Sequence, residues 1–154
     1  MYLSERHNVV VYDQISSAQL KAALPSAIPL SEHQAAVPFK MREMQIASLL
    51  GLDAISPIEK DYAWPGQFRP KSHQVEMASF MTLHPRCMNL SAMRTGKTMS
   101  AVWAADYLMD LGLVRRALVI CTLSNMQRVW DKEIYRHLLG KRRARILFGT
   151  PALN

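Results

Sequence analysis

The chain has 154 residues, 49% of them apolar, with 19 Lys/Arg against 12 Asp/Glu and a formal net charge of +7. That length is one ordinary domain, or one small domain with part of another, and the apolar share is enough for a real core. No apolar run reaches membrane-spanning length and the opening Met1 to Tyr12 is too polar for a signal peptide, so the expectation is a soluble, intracellular chain in the cytoplasm, with no membrane partner.

The charge is unevenly placed. Residues 1–114 hold ten basic and ten acidic side chains, whereas residues 115–154 hold nine basic ones against Asp131 and Glu133, so the whole excess lies in the last quarter. Such a surplus suits a polyanion, and it equally suits a plain solvated basic face. Cys87 and Cys121 both fall in apolar runs without Cys-x-x-Cys or His-rich spacing, which reads as reduced core thiols and no metal site.

In chain order, Val9-Val10-Val11-Tyr12 reads as a short strand, and Ser16 can cap a helix that stops before Pro25. Ala35 to Phe39 reads as a second strand, of the edge type because it carries Pro38. Lys40 to Leu50 has helical apolar spacing and ends at Gly51. Residues 1–52 therefore form a small α+β accessory module, with His7 and His33 as surface residues. Residues 53–70, with three prolines and a glycine, read as a linker, although Tyr62, Trp64 and Phe68 imply that it packs against something.

Past Pro70, Lys71 to Leu83 offers a helical face of Val75, Met77, Ala78, Phe80 and Met81. Cys87-Met88-Asn89-Leu90 reads as a buried strand, Ser91 to Thr98 spells S-A-M-R-T-G-K-T, and helical spacing resumes from Thr98 to a stop at Gly112. Strand, Gly-Lys-Thr loop and helix is the context of a phosphate-binding loop. Consecutive N–H groups and the new helix end attract an anion there. Gly96 lets the main chain approach a phosphate, Lys97 reaches the β- and γ-phosphates, and the Thr98 hydroxyl is a ligand for Mg²⁺. The full consensus has glycine where this chain has Ser91, and the competing reading is a glycine turn beside an exposed lysine.

Downstream, Ala117 to Cys121 is a continuous apolar run of buried-strand type, Ser124 can cap a helix with Met126, Val129, Trp130, Ile134 and Leu138 on one face, and Ala144 to Phe148 supplies a further strand. Alternating strands and helices predict right-handed crossovers and a parallel sheet, with the loop at its carboxyl edge. Arg128, Lys132 and Arg136 recur every four residues on one helix face, and Lys141, Arg142, Arg143 and Arg145 extend the stripe.

These motifs support a family resemblance. Phe68-Arg69-Pro70-Lys71-Ser72-His73-Gln74 resembles the adenine-reading segment of superfamily-2 helicases and translocases, placed before the Walker A loop at similar spacing. Ala92 to Thr98 looks like motif I of the Swi/Snf-like branch in its bacteriophage-encoded variant, and Ala117 to Glu133 resembles motif Ia. The resemblance covers residues 64–154 and implies the N-terminal part of a RecA-like ATP-binding lobe over 71–154, with ATP and Mg²⁺ as cofactors.

It implies cofactor contacts from Arg69, Gln74, Met93, Arg94, Thr95, Gly96, Lys97 and Thr98, with Lys97 and Thr98 catalytic and Thr98 on the metal. It implies nucleic-acid contacts from Thr122, Ser124, Arg128, Lys132 and Arg136, with DNA favoured over RNA. Arg94 stands where glycine is usual, and Thr122 where proline is usual. No acidic motif II or arginine finger follows, so the expectation is the N-terminal portion of a helicase or DNA translocase, truncated before motif II and without ATP turnover of its own. Its partners would be nucleic acid and the remaining lobes of the same polypeptide, in the cytoplasm of a phage-infected bacterial cell. The alternative is a non-enzymatic nucleotide- or nucleic-acid-binding protein with a degenerate loop, and a phosphotransferase explains the Gln74 segment less well.

Overall fold

A computed structural model describes residues 1–147, which divide into two units treated separately below. The first comprises residues 1–62 and 79–88, the second residues 63–78 and those from 89 onward.

The first unit is built on a four-stranded antiparallel sheet, β1 (Tyr2–Ser4), β2 (Val9–Asp13), β3 (Ile28–Ser31) and β4 (Gln34–Pro38), in the order β1-β2-β4-β3. β2 and β4 form its centre, with Val10 opposite Val37 and Val11 opposite Ala36. β4 is therefore an interior strand, contrary to the edge expected from Pro38. That proline is the last residue of its strand, where a missing N–H interrupts no interior ladder. The edge proline is Pro29 of β3, beside an irregularity in register.

Helix α1 (Ser17–Ala23) is capped by the Ser16 hydroxyl, which accepts from the Gln19 N–H at 3.5 Å, and it packs on β3 and β4. α2 (Met41–Leu49) ends at Leu50, followed by Gly51 at φ +76, the left-handed conformation that glycine adopts at no steric cost. Val10, Leu24, Val37, Met44 and Ile58 are buried together in this unit. Burial of each stabilises the fold by roughly 1.5–3 kcal/mol.

The short α3 (Ile58–Asp61) lies inside the stretch expected to be a linker, and its surroundings are ordered by hydroxyls. Ser56 Oγ and Thr82 Oγ1 are 2.7 Å apart, Thr82 Oγ1 donates to the Ser79 carbonyl, and Ser79 Oγ donates to Glu59 Oε1. Ser79 and Thr82 belong to α4 (Ser72–Leu83), whose buried positions also include Gln74 and Ala78. α4 thus buries this polar seam together with Ala78 and Leu83, while Val75, Met77 and Met81 of the apolar face read from the spacing are half-buried and Phe80 is left exposed.

The second unit is helical. α5 (Lys97–Asp110) packs on α7 (Lys132–Leu138), which continues α6 (Leu123–Asn125) through a π-helical turn, Met126–Asp131. Trp103 of α5 is fully buried, with its ring edge-on to Trp64 at 5.4 Å and to His137 at 5.3 Å. Its Nε1–H donates to the Pro65 carbonyl at 3.0 Å, so Trp64, Pro65 and Phe68 do pack, on α5 and α7. Asp106, buried on the next turn of α5, accepts from Lys141 Nζ at 2.7 Å and Arg142 Nε at 2.5 Å.

The expected parallel sheet is absent among the described residues, and with it the RecA-like lobe. The antiparallel four-stranded sheet is the sheet they form. Cys87 to Leu90, Ala117 to Cys121 and Ala144 to Leu147 adopt no regular structure; Phe148 lies outside the described residues. Their side chains are open to solvent, Leu90 at 83%, Leu118 at 77% and Ile120 at 90%. A continuous apolar run makes a central strand only when neighbours bond both its edges and layers cover both its faces. These runs have neither here. Cys87 is accordingly exposed and Cys121 half-buried, not the core thiols expected.

Candidate functional site

The Ser91 to Thr98 loop delivers the chain into α5, and two of its residues take left-handed backbone, Arg94 at φ +64 and Gly96 at φ +88. Lys97 turns back over the loop, its ammonium donating to the Ser91 carbonyl and, at 3.1 Å, to the Ala92 carbonyl. Thr95 Oγ1 donates to the Ala92 carbonyl at 2.9 Å, closing the turn. Arg94 and Met93 are exposed, and the Arg94 guanidinium has no ion pair among the described residues. Thr98 is half-buried in the first turn of α5.

Gln74 meets this loop. Its Nε2 donates to the Thr95 carbonyl at 3.3 Å, and its Oε1 accepts from the Lys71 N–H at 2.9 Å. The second contact is the return half of a capping box, in which the third residue of a helix accepts from the residue before it. A Cβ on Gly96 would overlap Gln74 Nε2 and approach Cδ to 3.2 Å, so any other residue there displaces the Gln74 amide besides straining φ. Ser100 Oγ donates to the Gln74 carbonyl at 3.1 Å, and His73 Nε2 stands 3.2 Å from the Thr95 carbonyl. Motifs separated by more than twenty residues are thus joined by three polar contacts. Gln74 keeps one N–H and one lone pair beyond these bonds. Arg69, exposed, forms no ion pair among the described residues.

The braces around Gln74 were not singled out from sequence. Ser100 has a signal of a kind, a hydroxyl one turn into a helix on the side that Gly96 opens. Lys71 acts through its backbone and His73 through a ring whose partner is 22 residues away, so neither carries a local pattern.

On the second feature, Thr122 precedes α6 and its Oγ1 is 3.3 Å from Ser124 Oγ, both exposed. Ser124 lies inside α6 and caps nothing, contrary to expectation. Arg128 and Lys132 are exposed and have no ion pair among the described residues, whereas Arg136 is held by Glu133 at 2.9 Å. The stripe does not continue as read. Lys141 and Arg142 turn to Asp106 and Asp110, and those carboxylates hold both above their ordinary ionisation range against the opposing effect of burial. Arg143 and Arg145 remain without such partners among the described residues.

Set against protein-family models, curated proteins and solved structures, the chain matches none.

No group of three or more His, Cys, Asp or Glu side chains among the described residues is arranged to hold a metal ion. The loop brings together an ammonium, a guanidinium and the first N–H groups of a 14-residue helix, a donor set whose chemistry suits an anion. The Thr98 hydroxyl is the oxygen in this loop that would reach a Mg²⁺ ion carried by such a phosphate. No helix among the described residues is long and apolar enough to cross a membrane.

Proposed function

We propose that this chain binds the phosphates of a nucleotide, as Mg²⁺·ATP, on the Ser91–Thr98 loop, and a nucleic acid on the helix that carries Arg128, Lys132 and Arg136. The reading is a contribution to a nucleic-acid-dependent ATPase of the helicase or translocase kind, working in the cytoplasm. The observation that carries it is the seating of Gln74 against Thr95 and Gly96. That contact joins the Gly-Lys-Thr turn to the glutamine of the segment that resembles an adenine reader, which supports reading the two as one site.

In this reading Lys97 leaves its two carbonyls for the β- and γ-phosphates, an exchange favoured because a charge-assisted bond to phosphate is stronger than one to a neutral carbonyl. Thr98 provides one oxygen to Mg²⁺, whose chemistry is to draw off phosphate charge. Arg94 and Thr95 line the phosphates beside Gly96, with Met93 at the loop's outer side. Gln74 offers its remaining N–H and lone pair to a base edge, with Arg69 five residues upstream. Thr122 and Ser124 present hydroxyls, and Arg128, Lys132 and Arg136 charge, to a nucleic-acid backbone.

One observation favours a second reading, a binding protein without turnover. The loop is not set at the edge of a parallel sheet, where the acid that positions water would stand, and the buried acid of α5, Asp106, is held by Lys141 and Arg142. Equilibrium titration with a fluorescent ATP analogue and Mg²⁺, on the parent and Lys97→Ala, tests the site. Loss of binding in the variant supports it; unchanged affinity removes it. Phosphate release by the parent, with and without DNA, separates the two readings: none is expected from this chain alone.

A further inference from the structure

The helix from Leu123 to Leu138 carries a feature that its spacing did not announce. Four residues along an α-helix overshoot a full turn by about 40°. Within an i→i+5 turn they fall short of one by roughly 30°. The π-turn at Met126–Asp131 therefore swings Arg128 back, so that Arg128 and Arg136 come to nearly the same longitude with Lys132 between them. Along an unbroken α-helix the three would fan progressively around the axis.

Beside them stands Tyr135, three residues from Lys132 and 70% exposed, an unusual setting for a large aromatic side chain on a charged face. It makes no hydrogen bond or ring contact through its side chain among the described residues. The acids nearby do not cover it. Glu133 is turned to Arg136 and His137, with His137 Nε2 2.8 Å from Glu133 Oε2. Asp131, exposed and four residues before Tyr135, is the one acid beside the ring, and Arg128 and Lys132 outnumber it on this face.

We infer that this face is a binding surface for single-stranded nucleic acid, with Tyr135 as a stacking platform for one unpaired base and Arg128 and Lys132 on the phosphates that run from it towards the start of the helix. This rests on the nucleic-acid half of the proposed function and narrows it to a strand type. The chemistry selects the partner. Cations alone serve any polyanion, but an exposed ring on a convex helix gains a stacking partner only from a base that is not already stacked in a duplex. Arg136, tied to Glu133, contributes less than its two neighbours.

The test is binding of the full chain to a fluorescein-labelled oligo(dT) by anisotropy across a salt series, with a mixed-sequence duplex of equal length for comparison. Tyr135→Ala is expected to weaken oligo(dT) binding by about 5- to 100-fold, while Tyr135→Phe, which keeps the ring, stays near the parent. Arg128→Gln with Lys132→Gln is expected to lower the salt slope by about 1.4. Duplex binding is expected to be weaker than oligo(dT) binding and indifferent to Tyr135→Ala. If the parent binds and the charge variant weakens it, but Tyr135→Ala matches the parent or the duplex binds as tightly, the stacking inference is overturned and the broader nucleic-acid reading stands. No salt-dependent binding to either probe overturns both.

Discussion

Gly96→Ala is the substitution that most sharply probes how the loop is built. Two costs arise from the structure. The residue sits at φ +88, where an L side chain is disfavoured by roughly 1–2 kcal/mol. The new Cβ also overlaps Gln74 Nε2 and presses on Cδ, so the amide must leave. That movement breaks the bonds to the Thr95 carbonyl and the Lys71 N–H, at about 1 kcal/mol each. The expected loss is therefore about 3 kcal/mol, which for a chain of this size lowers Tm by roughly 6–12 °C.

Urea unfolding followed by tryptophan fluorescence reads this directly, because Trp64, Trp103 and Trp130 all lie in the unit that holds the loop. The decisive comparison is a double-mutant cycle with Gln74→Ala. With that side chain truncated the overlap is gone, and Gly96→Ala should then cost only its backbone strain, leaving a coupling of about 1–2 kcal/mol. Equal costs in both backgrounds would refute the claim that Gln74 braces the loop.

Two further outcomes follow from other parts of the fold. Asp106→Asn removes a buried charge from between Lys141 and Arg142, whose own side chains are about one-third exposed and can turn to water; a loss of about 1–3 kcal/mol in the same urea assay is expected, against no change for Arg143→Gln. Tyr12 is pushed up to about 12, by burial first and by the charge of Asp53 second, and its hydroxyl donates to the Asp53 carbonyl at 2.8 Å. Its contribution to stability is complete below the ordinary tyrosine value near 10 and is lost as pH rises from there towards 12, so alkaline difference absorbance should show a late-titrating component that Tyr12→Phe diminishes.

Local signals were legible where local chemistry decides the outcome. Ser16, Gly51 and Gly112 mark helix ends because capping and left-handed backbone depend on one residue and its immediate neighbours. The Gly96 turn was legible for the same reason. Strand pairing was not, because it depends on which segments meet. Tyr2–Ser4 and Ile28–Ser31 are short, and their partners, not their composition, make them strands. Ala117 to Cys121 has a strand's composition and no partner among the described residues.

The helix α4 shows the same limit in packing. Its apolar residues predict one buried face, of which Ala78 is buried and Phe80 is not, while Ser79 and Thr82 find hydroxyl and carboxylate partners and are buried beside it. In the candidate site, the sequence named the loop and Gln74 separately, and their contact is a tertiary fact. The basic stripe was half legible. Repetition every four residues located Arg128, Lys132 and Arg136, while the pairing of Lys141 and Arg142 with Asp106 and Asp110 spans more than thirty residues and leaves no trace in local spacing.

The central claim is that a nucleotide's phosphates sit on the Ser91–Thr98 loop with Gln74 beside it. Backbone amide shifts of the ¹⁵N-labelled chain, followed as Mg²⁺·ATP is added, test it at the level of single residues. The account predicts saturable shifts concentrated on residues 94–98 and reaching the Gln74 side-chain amide, with inorganic triphosphate reproducing the loop shifts but not those of Gln74. An unchanged spectrum at millimolar Mg²⁺·ATP, or shifts gathered on another part of the chain, would contradict it.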